Sequence, residues 1–159
     1  MNEDKYVKVR YAFTVTGDIR AKERPRHKQG EHSYTPERTV FYENQVREAW
    51  YKAFNDFNNG SSQNPFTLKI EMFFRRPMSQ YKSDRKTLRY TGSNPAPEIC
   101  VKVRIDTDNV TKIIKDALNR VAYYDDGYIF SESITRYYID HWEQEYVNVE
   151  LIEIKRKES

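Results

Sequence analysis

The sequence has little of what holds a chain together from outside a folded core. It contains one cysteine, Cys100, in 159 residues, which excludes an intrachain disulfide and any CxxC zinc or redox site and favours a reducing, cytoplasmic compartment. No apolar run approaches the length of a membrane span, and the charged start MNEDKYVKVR lacks the apolar region of a secretory signal. No membrane partner is therefore expected. No internal repeat, low-complexity tract or sharp change of composition marks a second domain. The length suits one domain, residues 1–159, able to bury its own core.

Net charge is also small, +3, too little to mark a nucleic-acid binder by itself, but it is unevenly placed. Residues 75–89 hold Arg75, Arg76, Lys82, Arg85, Lys86 and Arg89 against Asp84 alone, and residues 18–28 hold five basic residues, Arg24 and Arg26 among them. From Asp116 to Ile154 nine acidic residues stand against Arg120 and Arg136. A basic end and an acidic end would orient the domain on a polyanion, because counterion release favours the basic side. Solvated surface loops are the plainer explanation until a chemical site lies beside them.

The apolar pattern supplies the fold. Val7, Val9, Tyr11, Phe13 and Val15 alternate up to Gly17, the period of a half-buried strand. A basic loop of about 18–34 follows. Thr35 then offers an N-cap, with Pro36 at the first helical position and Glu37 in the first turn. Tyr42, Val46, Ala49, Trp50, Ala53, Phe54 and Phe57 fall on one face of a long helix ending before Asn59-Gly60. Aromatics at helical spacing are read as packing, not as base-stacking groups. Phe66, Leu68, Ile70, Met72 and Phe74 form a second strand that delivers Arg75 and Arg76 at its end. Residues 77–98 have no period and form a second basic loop, long enough to need a reason: simple disorder is the plainer one, and a mobile arm that orders on nucleic acid the functional one. Ile99, Val101, Val103 and Ile105 lead into a second helix. Strand-like runs of about 128–139 and 146–154, joined near His141-Trp142, suggest a terminal antiparallel hairpin. The order strand, helix, strand, helix, strand, strand predicts an α/β (α+β) domain, a small mixed sheet with two principal helices packed on it.

The stretch RIDTDNVTKIIKDALNRVAYYDD, from Arg104 to Asp126, carries the chemistry. Val110, Ile113, Ile114, Ala117, Leu118 and Val121 give the helix one apolar face, and at roughly 100° per residue Asp108, Lys112 and Asp116 project on the other. Asp106 and Asp108 flank Thr107 and leave an extended run on one face; Asp108 is also placed to cap the helix. Asp125 and Asp126 return to them only if the chain folds back. Carboxylates so gathered need a cation, and an oxygen-rich site suits Mg²⁺ or Mn²⁺. Such an ion activates water and neutralises a leaving oxygen in phosphodiester cleavage, while Lys112 serves the phosphate. Each piece alone has a plainer account: a cap, i,i+4 ion pairs from Asp108 to Lys112 to Asp116, and an Asp-Asp-Gly turn. A bare DxD also occurs in nucleotide-sugar transferases, but no doubly wound nucleotide fold accompanies it here.

Taken in order, Asp106-Thr107-Asp108-Asn109, Lys112, Asp116-Ala117-Leu118-Asn119 and Asp125-Asp126 resemble the D-x-D-N-x-x-K…D-A-L…D-D signature of the RusA family of Holliday junction resolvases. Arg24-Pro25-Arg26, Tyr34-Thr35-Pro36 and Tyr42-Glu43 are similar to family segments nearer the start. Arg136 stands where the family often has lysine, and Ile105 where it commonly has proline. The resemblance implies a homodimeric, Mg²⁺- or Mn²⁺-dependent endodeoxyribonuclease that makes paired nicks in a four-way DNA junction and leaves 5′-phosphates. It implies that Asp106, Asp108 and Asp126 bind the metal, that Asp125 assists and that Lys112 contacts the scissile phosphate. Arg24, Arg26, Arg75, Arg76, Lys82, Arg85, Lys86, Arg89, Arg104 and Arg136 would then position the DNA backbone without reading bases. The competing expectation is a catalytically silent module that binds branched DNA while its aspartates only cap and pair.

Overall fold

Alternating apolar residues make strands whose one face is a core, and the computed structural model of the chain shows which face and which neighbours. It describes residues 3–21, 36–83, 88–90, 98–100 and 103–158. The expected elements appear in order, and within the stretch 77–98 expected to be a loop there is also a short hairpin: β1 (Tyr6–Thr16), α1 (Glu37–Ala53), β2 (Phe66–Arg75), the hairpin of β3 (Tyr81–Ser83) and β4 (Leu88–Tyr90), β5 (Glu98–Ile99), α2 (Thr107–Leu118), β6 (Ile129–Ile139) and β7 (Tyr146–Arg156). Five strands form one mixed sheet in the order β1-β7-β2-β6-β5, with β3 and β4 paired apart from it. No helix among the described residues is long and apolar enough to cross a membrane.

The register sets Tyr11, Phe13 and Val15 opposite Leu151, Val149 and Val147, and these opposite Leu68, Ile70 and Met72 of β2. All belong to one buried cluster with Tyr42, Val46 and Trp50 of α1 and Val110, Ile113, Ile114, Ala117 and Leu118 of α2. Trp50 packs against Tyr11 and Phe13 with ring centroids 5.3 and 5.8 Å apart, so the aromatic stripe of α1 is core, as its period predicts.

Three local expectations change. Helix α1 begins at Glu37 with Pro36 as its N-cap residue; Thr35 lies outside the described residues. It ends at Ala53, because Asn55 and Asp56 take left-handed φ values of 53° and 62°, a conformation that short polar side chains tolerate. Phe57 lies beyond that turn, 44% exposed, but its carbonyl accepts the Trp50 indole N–H at 2.7 Å.

The largest correction concerns the terminal hairpin, which does not form. β2 lies between β6 and β7, parallel to β6 and antiparallel to β7. β2 buries Phe66, Leu68, Ile70, Met72, Phe73 and Phe74, more apolar surface than either partner, and a strand of that kind takes the middle of a sheet. Six residues, 140–145, separate β6 from β7. They are enough to step over one strand, about 10 Å, to the next place in the sheet. The turn is fastened to the end of β2: Glu145 accepts the Arg75 backbone N–H at 2.9 Å, and Arg76 N–H donates to the Ile139 carbonyl at 3.0 Å.

Candidate active site

Helix α2 positions the acidic residues at both of its ends. At the start, Asp106, rather than Asp108, is the N-cap: its Oδ1 accepts the Asp108 backbone N–H at 3.0 Å and its Oδ2 the Asn109 side-chain amide at 3.3 Å. Thr107 is already the first helical residue, so Asp106 and Asp108 sit on a cap and a first turn, not on an extended run. Carboxylates there also meet the positive end of the helix dipole. Asp108 and Lys112 are both exposed. Neither makes an ion pair with another described residue, so the i,i+4 chain from Asp108 through Lys112 does not form. Lys115 instead forms a salt bridge with Glu132 of β6 at 3.1 Å.

At the other end, Leu118 closes the helix and Asn119 caps it. The Asn119 side-chain oxygen accepts the Asp126 backbone N–H at 2.9 Å, and Asp125 caps the single 3-10 turn Asp126–Tyr128 by accepting Gly127 N–H at 3.0 Å. This is the fold-back that the motif needs, and it stops at the end of α2. Burial first, then the charges of Asp125, Asp116 and Glu132, raise the Asp126 carboxyl above its ordinary range, opposed by Lys115. The same acidic neighbourhood, after burial, pushes the Tyr123 phenol far up.

The loop before β2 holds this end in place, a role that its sequence did not show. Asn59 N–H donates to the Val121 carbonyl at 2.7 Å and Tyr124 N–H to the Ser62 carbonyl at 2.9 Å. Gly60 lies so close to Arg120 that a Cβ would run into the Arg120 carbonyl. Beneath the loop, Glu153 is fully buried. Its carboxylate accepts hydrogen bonds from Ser62, from Asn64 at 2.9 Å, from Tyr11 at 3.0 Å and from Asn59 at 3.2 Å. The alternation of β7 gave no signal that a carboxylate on its inward face would be satisfied by a loop some 90 residues away.

The two aspartate pairs therefore lie towards opposite ends of a 12-residue helix, with Asp126 folded back far enough to feel the charges of Lys115 and Asp116 in its last turn. Among the described residues no group of three or more His, Cys, Asp or Glu could hold a metal ion.

The basic residues also separate. Arg75 donates from Nε to the Glu143 carbonyl at 2.8 Å and pairs with Asp18 at 3.4 Å. Arg76, expected at the surface, is fully buried and its Nη1 donates to Glu98 at 2.9 Å, with its guanidinium over the Tyr138 ring; its charge is directed inward. Arg104 is exposed and Arg136 half-buried in β6. Lys82 and Arg89 are cross-strand partners in the β3–β4 hairpin. Arg24, Arg26, Arg85 and Lys86 lie outside the described residues.

Arg75 and Arg104 line a cleft of about 530 Å³ whose floor includes Phe74, Pro77, Val103 and Ile105. Because Ile105 precedes Asp106, the cleft opens at the N-terminal end of α2. That end of the molecule joins the exposed Arg104, the exposed carboxylates of Asp106 and Asp108 and a concave surface, the ingredients of a phosphodiester site short of a full ligand set. The protein-family model described as Endodeoxyribonuclease RusA matches residues 16–151, a span that takes in both helices and Asp106, Asp108, Lys112, Asp125 and Asp126. No curated protein matches the chain.

Proposed function

The chain belongs to the RusA endodeoxyribonuclease family, and from that premise we propose that it resolves Holliday junctions by paired, divalent-metal-dependent nicking. The observation that carries this reading is the helix α2, which has the aspartates of the family signature at or beyond its two ends and the lysine at its middle, and leaves Asp108 and Lys112 exposed and unpaired among the described residues. In this reading Asp106, Asp108 and Asp126 hold Mg²⁺ or Mn²⁺, Asp125 assists, and Lys112 donates to an oxygen of the scissile phosphate. The backbone of a four-way junction lies along Arg75, Arg104 and the hairpin with Lys82 and Arg89.

In this reading the working unit is a symmetric dimer. A twofold contact that brings Asp106 and Asp108 of one copy to Asp125 and Asp126 of the other does the same in reverse. It makes two equivalent sites for two equivalent strands. A second reading keeps DNA binding without cleavage, and the capping roles of Asp106 and Asp125 favour it.

Nicking of a synthetic four-way junction by wild type and by Asp108→Asn, in Mg²⁺, Mn²⁺ or EDTA, separates the two. The nuclease reading expects metal-dependent nicks from wild type and a loss of about a hundredfold or more in the variant, the scale of removing one charged group that acts on the transition state. Tight junction binding by wild type with no nicks in any metal would leave only the binding module.

A further inference from the structure

The six-residue turn between β6 and β7 holds Trp142 with 63% of its surface exposed. Its neighbours pin the backbone on both sides of it. Tyr81, itself buried, accepts the His141 backbone N–H at 2.8 Å, and its hydroxyl lies 3.4 Å from the Asp140 carboxylate. The His141 ring nitrogen Nδ1 lies 3.1 Å from the Arg76 carbonyl, and Glu143 N–H donates back to Asp140 at 3.0 Å. The Glu143 carbonyl in turn holds Arg75. A loose turn would let an indole fold down onto the protein and leave water; this one holds the ring out, with the Tyr81 ring 5.7 Å away at 53° as its base.

The surroundings suit a strand of nucleic acid. Tyr81 opens the hairpin in which Lys82 and Arg89 are backbone partners in the ladder. Of the acidic neighbours, Asp18 is paired with Arg75 and Arg20, Glu145 accepts the Ile19 and Arg75 backbone N–H groups, and Asp140 lies beside the Tyr81 hydroxyl; Asp18 and Glu143 are exposed. Arg75 links the turn to the cleft that runs to Ile105, so the indole lies at the same end of the sheet as Asp106 and Asp108.

We propose that Trp142 stacks on an unpaired base of branched DNA, the base exposed where strands part beside the cut site. The assignment rests on the branched-DNA reading above. A planar π surface at the end of the sheet where Arg75 and Arg104 line the cleft suits an unstacked base with its phosphates, and base–aromatic stacking is tolerant of sequence. Trp142 thereby marks the branch point rather than a base identity.

The chain has two tryptophans, and Trp50 is fully buried with its N–H bonded to Phe57. A change in the long-wavelength tryptophan emission therefore reports Trp142. The full-length protein in EDTA is titrated with an unlabelled four-way junction while binding is followed in parallel with a labelled one. Saturable quenching that tracks binding is expected. Trp142→Ala should lose the quench and bind about 5- to 150-fold more weakly, with an unchanged thermal midpoint, and Trp142→Phe should retain most of the affinity. Junction binding with unquenched emission and wild-type affinity in Trp142→Ala would overturn the proposal and leave the nuclease reading standing. No junction binding at all would overturn both. Emission that shifts with protein concentration in the absence of DNA would assign the surface to a second copy and also overturn it.

Discussion

At the scale of single residues, the buried carboxylate of Glu153 is the clearest case of chemistry set by surroundings. Burial alone would raise its pKa, but hydrogen bonds from Ser62, Asn64, Tyr11 and Asn59 outweigh that and hold it below the ordinary glutamate value of 4.5. The Tyr11 phenol is pushed the other way, to about 12, by burial and by this carboxylate. A folded-state pKa below the unfolded one makes the contribution of Glu153 fully present above the unfolded value. That contribution is lost as pH falls through the folded one. Glu153→Gln should therefore cost about 1–3 kcal/mol at pH 7, because the amide N–H₂ faces donors, and the variant should lose less further stability than wild type on acidification below pH 4.5. Urea midpoints measured between pH 7 and pH 3 check both; equal midpoints at pH 7 would show that the loop, not the carboxylate, carries the stability. Arg76 teaches the reverse lesson. Its neighbour Arg75 and the basic run after it mark a surface, and nothing local reveals that Glu98, 22 residues on, pairs with it inside the protein.

At the scale of elements, α2 was legible in the sequence because its apolar face and its polar face are both short-range patterns. What the pattern left open was the cap. An Asp-x-Asp entry offers two candidate caps two residues apart, and Asp106 takes the role because its own backbone is still extended where the helix begins. The cap and the proposed ligand role can be separated. Asp106→Asn keeps a good cap and removes the charge, whereas Asp106→Ala removes both. The first should lose nicking with little change in thermal midpoint. The second should lose nicking and also melt about 2–4 °C lower, the equivalent of ~1 kcal/mol for a chain of this size. Equal melting of the two variants would mean that the cap adds nothing to α2. The hairpin error has a different origin. Adjacent strands in sequence usually pair, and the run of apolar residues that makes β2 central is visible only when all strands are weighed together.

At the scale of the whole molecule, the proposed twofold assembly makes a prediction that no single variant can make. Asp108→Asn and Asp126→Asn should each be inactive alone. Mixed and allowed to exchange subunits, they form mixed dimers in which one site takes its first pair from the Asp126→Asn chain and its second from the Asp108→Asn chain, both intact. Random pairing then restores about a quarter of wild-type sites, as single nicks rather than paired ones. A mixture as inactive as its parts would place the whole site in one chain. The placement of β2 between β6 and β7 also bears on how the chain comes to be folded. β7 leaves the ribosome after β1 and β2, both of which it joins, so neither can complete its ladder until that last strand has been made. Until then β2, the most apolar strand, lacks one neighbour, and its exposed edge is the place where a half-made chain would be open to a chaperone or to another chain like it.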